Sequence, residues 1–342
     1  GYSGGYVSTV DRIDYSNDTA TAAAKGPLSV SRWMLGATGD SSFGYFGGGS
    51  QPTAQSTVDR VDYSNDTATA SPKGALSSAR YALAAASARA NGFVPIGPAL
   101  VDNTAAIAGS FNPTQFGYFG GGGNPSTDAS TIQRIEYAND TVTASRRAIL
   151  TRKADSMGTA GNSFFGYFAG GDGNPTDNST VDRMQYANDT ATTLVRGPLS
   201  SQRRDLAGAG NINFGYFVGG ELMPGSIDAS TVDRIDYQND TATALQKGPL
   251  SQNGYGFAGT STTDFGYFAG GVTGGQPAGF TFVQRVDYSN DTATASPKGP
   301  ITAGRYHFGG TGNSSFGYVG GGTPSGANYM STVDRIDYSN DT

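Results

Sequence analysis

The stretch Ser8-Thr9-Val10-Asp11-Arg12-Ile13-Asp14-Tyr15-Ser16-Asn17-Asp18-Thr19 is a full copy of a string that runs through the whole chain. Its arginine returns at Arg60, Arg134, Arg183, Arg234, Arg285 and Arg335, at intervals of 48, 74, 49, 51, 51 and 50 residues. A repeat of about 50 residues, cut into four strand-length segments, is the signature of propeller blades; helical repeats run at about 34 to 47 residues and carry a helical apolar period. The string therefore predicts an all-β chain built of repeated small sheets.

Residues 32 to 78 show one unit in order. Arg32 to Gly39 mixes apolar and polar residues, Phe43 to Gly49 is aromatic then glycine, Ser56 to Tyr63 alternates, and Ala68 to Ser77 closes with a turn. Each segment is bounded by turn residues, which predicts a four-stranded antiparallel sheet per unit. The aromatic-glycine segment returns at Phe116, Phe165, Phe214, Phe265 and Phe316. Rings beside bare glycine suit a crowded inner strand: Tyr45 and Phe46 fill space between blades, and Gly47 and Gly48 admit a neighbouring backbone. A phosphate-binding glycine loop is the competing reading, but it lacks the helix and the Gly-Lys-Ser such a loop needs.

On the two-residue strand period, Val58, Arg60 and Asp62 share one face. The arginine stands in all seven copies. The acid two residues on is Asp14, Asp62, Glu136, Asp236, Asp287 and Asp337, with Gln185 in the remaining copy. This predicts a repeated structural ion pair, within or between blades, that fixes register more than it adds stability. Seven copies of one pair are structure before chemistry, so no catalytic residue is assigned. The Asn-Asp-Thr that follows reads as a hairpin turn, because Asn and Asp tolerate left-handed backbone. It also matches the glycosylation sequon, and it carries too few acids for a calcium loop, so no metal is assigned.

The unit resembles a kelch repeat in its double glycine Gly47-Gly48, in Tyr63, in the turn Asn65-Asp66-Thr67 and in Arg80 at the start of the next unit. It departs where small residues such as Thr69 replace the kelch tryptophan; the single Trp is Trp33. The wording Asp11 to Ala22, with Phe43-Gly44-Tyr45-Phe46-Gly47-Gly48, is also similar to repeats of virion-associated and tail-fibre proteins of phages of marine cyanobacteria. These resemblances imply a kelch-like propeller and a virion or extracellular location, with a cytoplasmic kelch scaffold as the alternative. The copper chemistry of galactose-oxidase-type propellers needs Tyr, His and Cys. This chain has no cysteine and one histidine, His307, which reads as a tolerated strand residue.

Composition narrows the partners. Charged residues are 15%, against roughly 25% in an average soluble protein. The net charge is -6 and the pI near 4.7, which argues against nucleic acid, a ligand that needs clustered Lys and Arg. Without cysteine there are no disulfides and no thiolate metal sites. No apolar run approaches the roughly 18 residues of a membrane span. No cofactor is called for.

The units fall at 1–31, 32–79, 80–151, 152–202, 203–252, 253–304 and 305–342, a single propeller domain read as part of a longer chain. Seven copies favour seven blades; six is the alternative, closed by the final Arg-led strand joining the N-terminal sheet. An insertion at 84–107 lengthens one interval, and its Ala-rich start, residues 84 to 91, predicts a short helix. The connections after the glycine pair vary in length and composition while the strands around them barely change. Loops on a rigid scaffold are where binding is placed. Leu222, Met223, Phe280, Phe282 and Tyr329, with Asn124 and Asp128, are therefore the candidate contacts to a protein or surface glycan, or to other virion or appendage subunits. Phe282 also reads as buried under its own loop. The expected function is a non-enzymatic binding module, since near-identical blades do not bring unlike residues to one point.

Overall fold

The computed structural model describes residues 10–12, 23–25, 27–40, 42–65, 67–87, 115–124, 127–173, 179–326 and 328–341, with backbone alone at 10–12, 23–25, 87, 124, 127 and 128. Five four-stranded antiparallel sheets follow one another along the chain. Blade one is Gly36–Gly39, Phe43–Gly47, Val58–Asp62 and Ser71–Pro72, and blade two is Ala84–Ser87, Phe116–Gly120, Thr131–Glu136 and Ser145–Ile149. Blades three, four and five begin at Gly158–Gly161, Ala207–Gly210 and Tyr255–Ser261. Blade six has Gly309–Gly312, Phe316–Gly320 and Val333–Asp337. In every blade Tyr of the aromatic-glycine strand stands opposite Arg of the third strand, as Tyr45 does with Arg60 and Tyr318 with Arg335. The fold is an all-β propeller of four-stranded antiparallel blades.

The ring closes with six. Six backbone hydrogen bonds circle the axis, each amide donating to the carbonyl of the preceding blade: Ala82 to Met34, Ser156 to Ala82, Asp205 to Ser156, Gly256 to Asp205, His307 to Gly256, and Met34 to His307, all at 2.8 or 2.9 Å. Stacked tyrosines repeat the circuit further out. Tyr45 lies on Tyr137 of the next blade, Tyr216 on Tyr288, and Tyr318 of blade six on Tyr63 of blade one at 4.6 Å, which leaves no sector open. Of the two blade counts open from sequence, the described strands therefore take six and not the favoured seven. Seven Arg-led strings fit six sectors because the first, Val10–Arg12, pairs with Ala23–Lys25 and lies beside the last, Val333–Asp337.

Tight packing between blades explains the glycines. A β-carbon on Gly47 would sit 2.9 Å from the Phe119 ring of blade two, so the small residue is what lets that ring nest. Phe46, Phe119, Phe168, Phe217 and Phe268 are all buried between sheets. Each such ring buries on the order of 150 to 250 Å².

The expected helix at 84 to 91 is corrected at its start: Ala84–Ser87 is the inner strand of blade two, paired with Phe116–Gly120. Small side chains are required there because Ala85 faces the Gly36 backbone of blade one, so tertiary packing overrides alanine's helix preference. The remainder of the 84–107 insertion lies outside the described residues. Among the described residues no helix is long and apolar enough to cross a membrane.

Candidate functional site

The Arg-led strings build the blade boundaries. Arg60 Nη1 donates to Asp140 Oδ2 at 2.7 Å, in the Asn-Asp turn of the next blade. The Tyr45 hydroxyl donates to the same oxygen at 2.9 Å, and Lys73 approaches at 3.6 Å. The set repeats as Arg134 with Asp189, Arg183 with Asp240, Arg234 with Asp291, and Arg285 with Asp341. Each guanidinium also covers a phenyl ring of its own blade, 4.2 Å from the Phe43 centroid for Arg60 and from the Phe316 centroid for Arg335. Burial, and then the Asp140 carboxylate, push the Tyr45 hydroxyl well above its usual range.

The expected pairing with the acid two residues on is corrected. Asp62, Asp236, Asp287 and Asp337 accept the amides of Ser64, Gln238, Ser289 and Ser339 instead. An acid at a strand end lies beside the unpaired N–H groups of the turn, whereas the long arginine reaches across the boundary. Glu136 is exposed. The side chains of Arg12 and Asp14 lie outside the described residues.

A second arginine set is more deeply buried. Arg32, Arg203 and Arg305 are fully covered and pair with Asp59, Asp233 and Asp334, the acids just before the repeated arginine. Arg32 also donates to the Phe46 carbonyl at 2.9 Å. Arg80, whose blade has Gln133 in place of the acid, donates to the Gly121 carbonyl and to the Thr131 hydroxyl.

Both sets are near-constant around the disc. The unlike residues gather on one face. At or just before the start of each inner strand the chain carries a pair of residues, Trp33-Met34, Tyr81-Ala82, Asp155-Ser156, Arg204-Asp205, Tyr255-Gly256 and Tyr306-His307. The second of each pair makes the six-membered hydrogen-bond ring, in left-handed backbone: φ is 53° at Met34, 51° at Ala82, 52° at Ser156, 54° at Asp205, 68° at Gly256 and 53° at His307. Five non-glycine residues held there by one closed ring point to a site the fold over-determines. The first of each pair bridges antiparallel to the variable connection, Trp33 to Ser50, Tyr81 to Gly123, Asp155 to Asp172, Arg204 to Glu221, Tyr255 to Val272 and Tyr306 to Thr323. Hairpins and ring thus form one surface around the mouth of the central channel.

His307 is a member of that ring, in the bend before the inner strand of blade six, which corrects its reading as an ordinary strand residue. Gly256 has no side chain, so the imidazole spans it to reach Asp205, with Nε2 3.2 Å from Oδ1. Burial disfavours the Asp205 carboxylate, yet His307, Ser156 and Arg204 outweigh it and hold its carboxyl below the usual range. Around His307 stand the rings of Tyr306 at 4.9 Å, Trp33 at 5.7 Å and Tyr255 at 5.8 Å. The Tyr255 hydroxyl is pushed up to about 12, first by burial and then by Glu221, Tyr306, Asp205 and Asp228. Arg204 lies between Glu221 at 2.9 Å and Asp172 at 3.2 Å. Among the described residues no group of three His, Cys, Asp or Glu side chains is placed to hold a metal.

The sequence-chosen loop residues are only partly brought together. Tyr329 stacks on Trp33 at 5.4 Å and joins the mouth. Phe280 and Phe282 stack on each other at 4.6 Å, and Phe282 packs against the core, in line with burial under its own loop. Leu222 pairs with Ile227 across the blade-four hairpin, and Met223 follows it, half-buried. Asn124 stands opposite Thr127 and Asp128 opposite Gly123 in the blade-two hairpin, and the side chains of Asn124 and Asp128 lie outside the described residues. Sequence reasoning assigns no binding role to Trp33, Tyr255, Tyr306, His307 or Asp205, although these are positions where otherwise repetitive units differ.

The fold and this surface define a β-propeller with one differentiated face. No protein-family profile matches the chain, and no curated protein matches it. Among solved structures it is similar to the one titled "Structure of YjhT", with a TM-score of 0.70 over 90% of this chain and 95% of that one, at 12% identity. Identity at that level speaks to the fold alone.

Proposed function

We propose that this propeller is a non-enzymatic binding module of a virion or extracellular appendage, and that it recognises a surface glycan or protein through the face carrying the ring and the variable hairpins. One observation carries the reading. The boundary ion pairs repeat from blade to blade as a rigid frame, while the Trp33, Asp155, Arg204, Tyr255 and Tyr306 positions and the hairpins beside them differ from blade to blade on one face. A constant scaffold presenting one variable face is the organisation of a recognition domain. The virion or appendage setting rests on the resemblance of the repeats to phage tail-fibre sequences.

The test is adsorption of the purified chain to arrayed glycans and arrayed surface proteins. The blade-one connection, residues 49 to 55, replaces residues 221 to 229 and 272 to 279 in a variant whose unfolding midpoint is measured alongside. Loss of adsorption in the folded variant is expected. Unchanged adsorption would move recognition off this face, and turnover of an adsorbed glycan would overturn the non-enzymatic reading.

A further inference from the structure

The mouth of the channel carries side chains that closing the blades does not require, and they divide into two halves. On the side of blades five, six and one, Tyr255, Tyr306 and Trp33 surround His307, and Tyr329 lies on Trp33 with the planes 21° apart. On the side of blades three and four stand Asp205, against His307, and Arg204 between Asp172 and Glu221. Tyr255, Tyr306, Trp33, Arg204 and Asp205 are all half-buried, each with surface left to offer.

We propose that this mouth binds a neutral saccharide; the proposal rests on the reading of this face as the recognition surface. A pyranose has a face of C–H groups and an edge of hydroxyls that both donate and accept. An aromatic platform covers the first. Carboxylate, guanidinium, imidazole and phenol groups together satisfy the second.

Charge selects within the class. Asp155, Asp172, Asp205, Glu221 and Asp228 share this face with Arg204 and His307, an excess of negative charge that disfavours uronic and other acidic sugars. Ring geometry separates a saccharide from an organic cation. A quaternary ammonium is held by rings closing around one point; here the point that Tyr255, Tyr306 and Trp33 close around is filled by the His307 imidazole, and Trp33 and Tyr329 lie near-parallel beside it. Size sets the pose. The cavity under the ring, floored by Leu35, Leu83, Met157, Leu206, Phe257 and Phe308, has a volume of about 80 Å³. That holds roughly two waters. The sugar ring therefore rests on the rim and sends at most one substituent inward.

The intact chain is titrated with the methyl glycosides of glucose, galactose, mannose, xylose and N-acetylglucosamine, using ligand-observed NMR and calorimetry, with methyl glucuronide and choline as comparison probes. At least one neutral glycoside binds with Kd on the order of 1 mM, the strength of a small polar ligand on an open rim. Tyr255→Ala, Tyr306→Ala and Asp205→Asn each weaken it tenfold or more. Leu245→Ser, on the exposed outer strand of blade four, leaves it unchanged, and Trp33→Phe retains most of it. Unfolding midpoints confirm that each variant is folded. Absence of binding by any neutral glycoside, insensitivity to the three mouth substitutions, or a preference for glucuronide or choline overturns the proposal. If glycosides fail to bind while the hairpin graft still abolishes adsorption, the saccharide assignment falls and the recognition face stands.

Discussion

Arg234 reaches out of its own blade to Asp291, 2.7 Å away in the turn of the next, and leaves Asp236 on its own strand to accept the Gln238 amide. The same Asp291 carboxylate takes the Tyr216 hydroxyl at 2.9 Å and Lys247 at 3.3 Å. A single acid in a surface turn is therefore the point at which three side chains of the preceding blade are tied to the following one.

Replacing that acid separates the two roles. Asp291→Ala leaves a largely covered guanidinium, ammonium and phenol without their shared acceptor and is expected to cost about 3 kcal/mol. Asp236→Ala removes only a turn acceptor and is expected to cost about 1 kcal/mol. Denaturant midpoints at constant slope measure both, and equal losses would mean that the boundary pair contributes nothing special.

The covered pairs behave differently. Arg203 and Asp233 are both fully buried, at 2.7 Å. Arg203→Met strands the acid and is expected to cost about 3 to 5 kcal/mol, while adding Asp233→Leu recovers most of that, since an apolar replacement of a buried pair is often near neutral. A double variant no more stable than the single one would show that the aspartate has another essential partner.

Much of this frame was legible in the sequence because it repeats. The 50-residue spacing, the four segments and the inner-strand glycines all map onto blades. The arginine's partner was misjudged by proximity in the chain, although the sequence held the better signal: the acid after Asn is present in all seven copies, at Asp18, Asp66, Asp140, Asp189, Asp240, Asp291 and Asp341, whereas the acid after Arg fails at Gln185. Six sectors were not readable by counting strings, because whether the first and last copies share a sector depends on ring curvature. The mouth was missed for the converse reason. Trp33, Asp205, Tyr255 and His307 lie in four different units with little in common, and only the backbone ring brings them to one axis.

Stability should fall at both ends of the pH scale, for different groups. Burial resists ionisation of Asp341, but Lys298, Tyr267 and Arg285 together hold its carboxyl below the usual range, and Asp205 is held low against burial by His307. A depressed carboxyl contributes stability that is complete above its unfolded value of about 3.9 and is lost as pH falls through the folded one. The stacked tyrosines have the opposite sense: burial first raises Tyr63, Tyr186, Tyr216 and Tyr288. Their contribution is complete below about pH 10 and is lost as pH rises through the folded values. Denaturation midpoints and phenolate absorbance across pH 2 to 12 measure this. Free titration of every tyrosine near pH 10 in the folded chain would contradict it.

Gly256 offers a test of whether the ring or the side chains above it set the mouth. Its φ of 68° lies where a β-carbon costs about 1 kcal/mol. Met34, Ala82, Ser156, Asp205 and His307 carry side chains at equivalent positions with φ between 51° and 54°, so the ring itself accommodates one. The specific obstacle at Gly256 is His307: an added β-carbon would lie 2.8 Å from its Cδ2 and 3.0 Å from its backbone nitrogen. Gly256→Ala is therefore expected to cost about 2 kcal/mol and to push the imidazole away from Asp205. Removing the imidazole as well, in Gly256→Ala/His307→Ala, should recover about half of that cost, since residues in contact are non-additive. Unfolding midpoints give the energies, and the imidazole resonances of His307, the chain's one histidine, report its displacement. An unshifted imidazole in the single variant, with strictly additive energies, would show that the glycine serves the backbone ring and not the reach of His307 to Asp205.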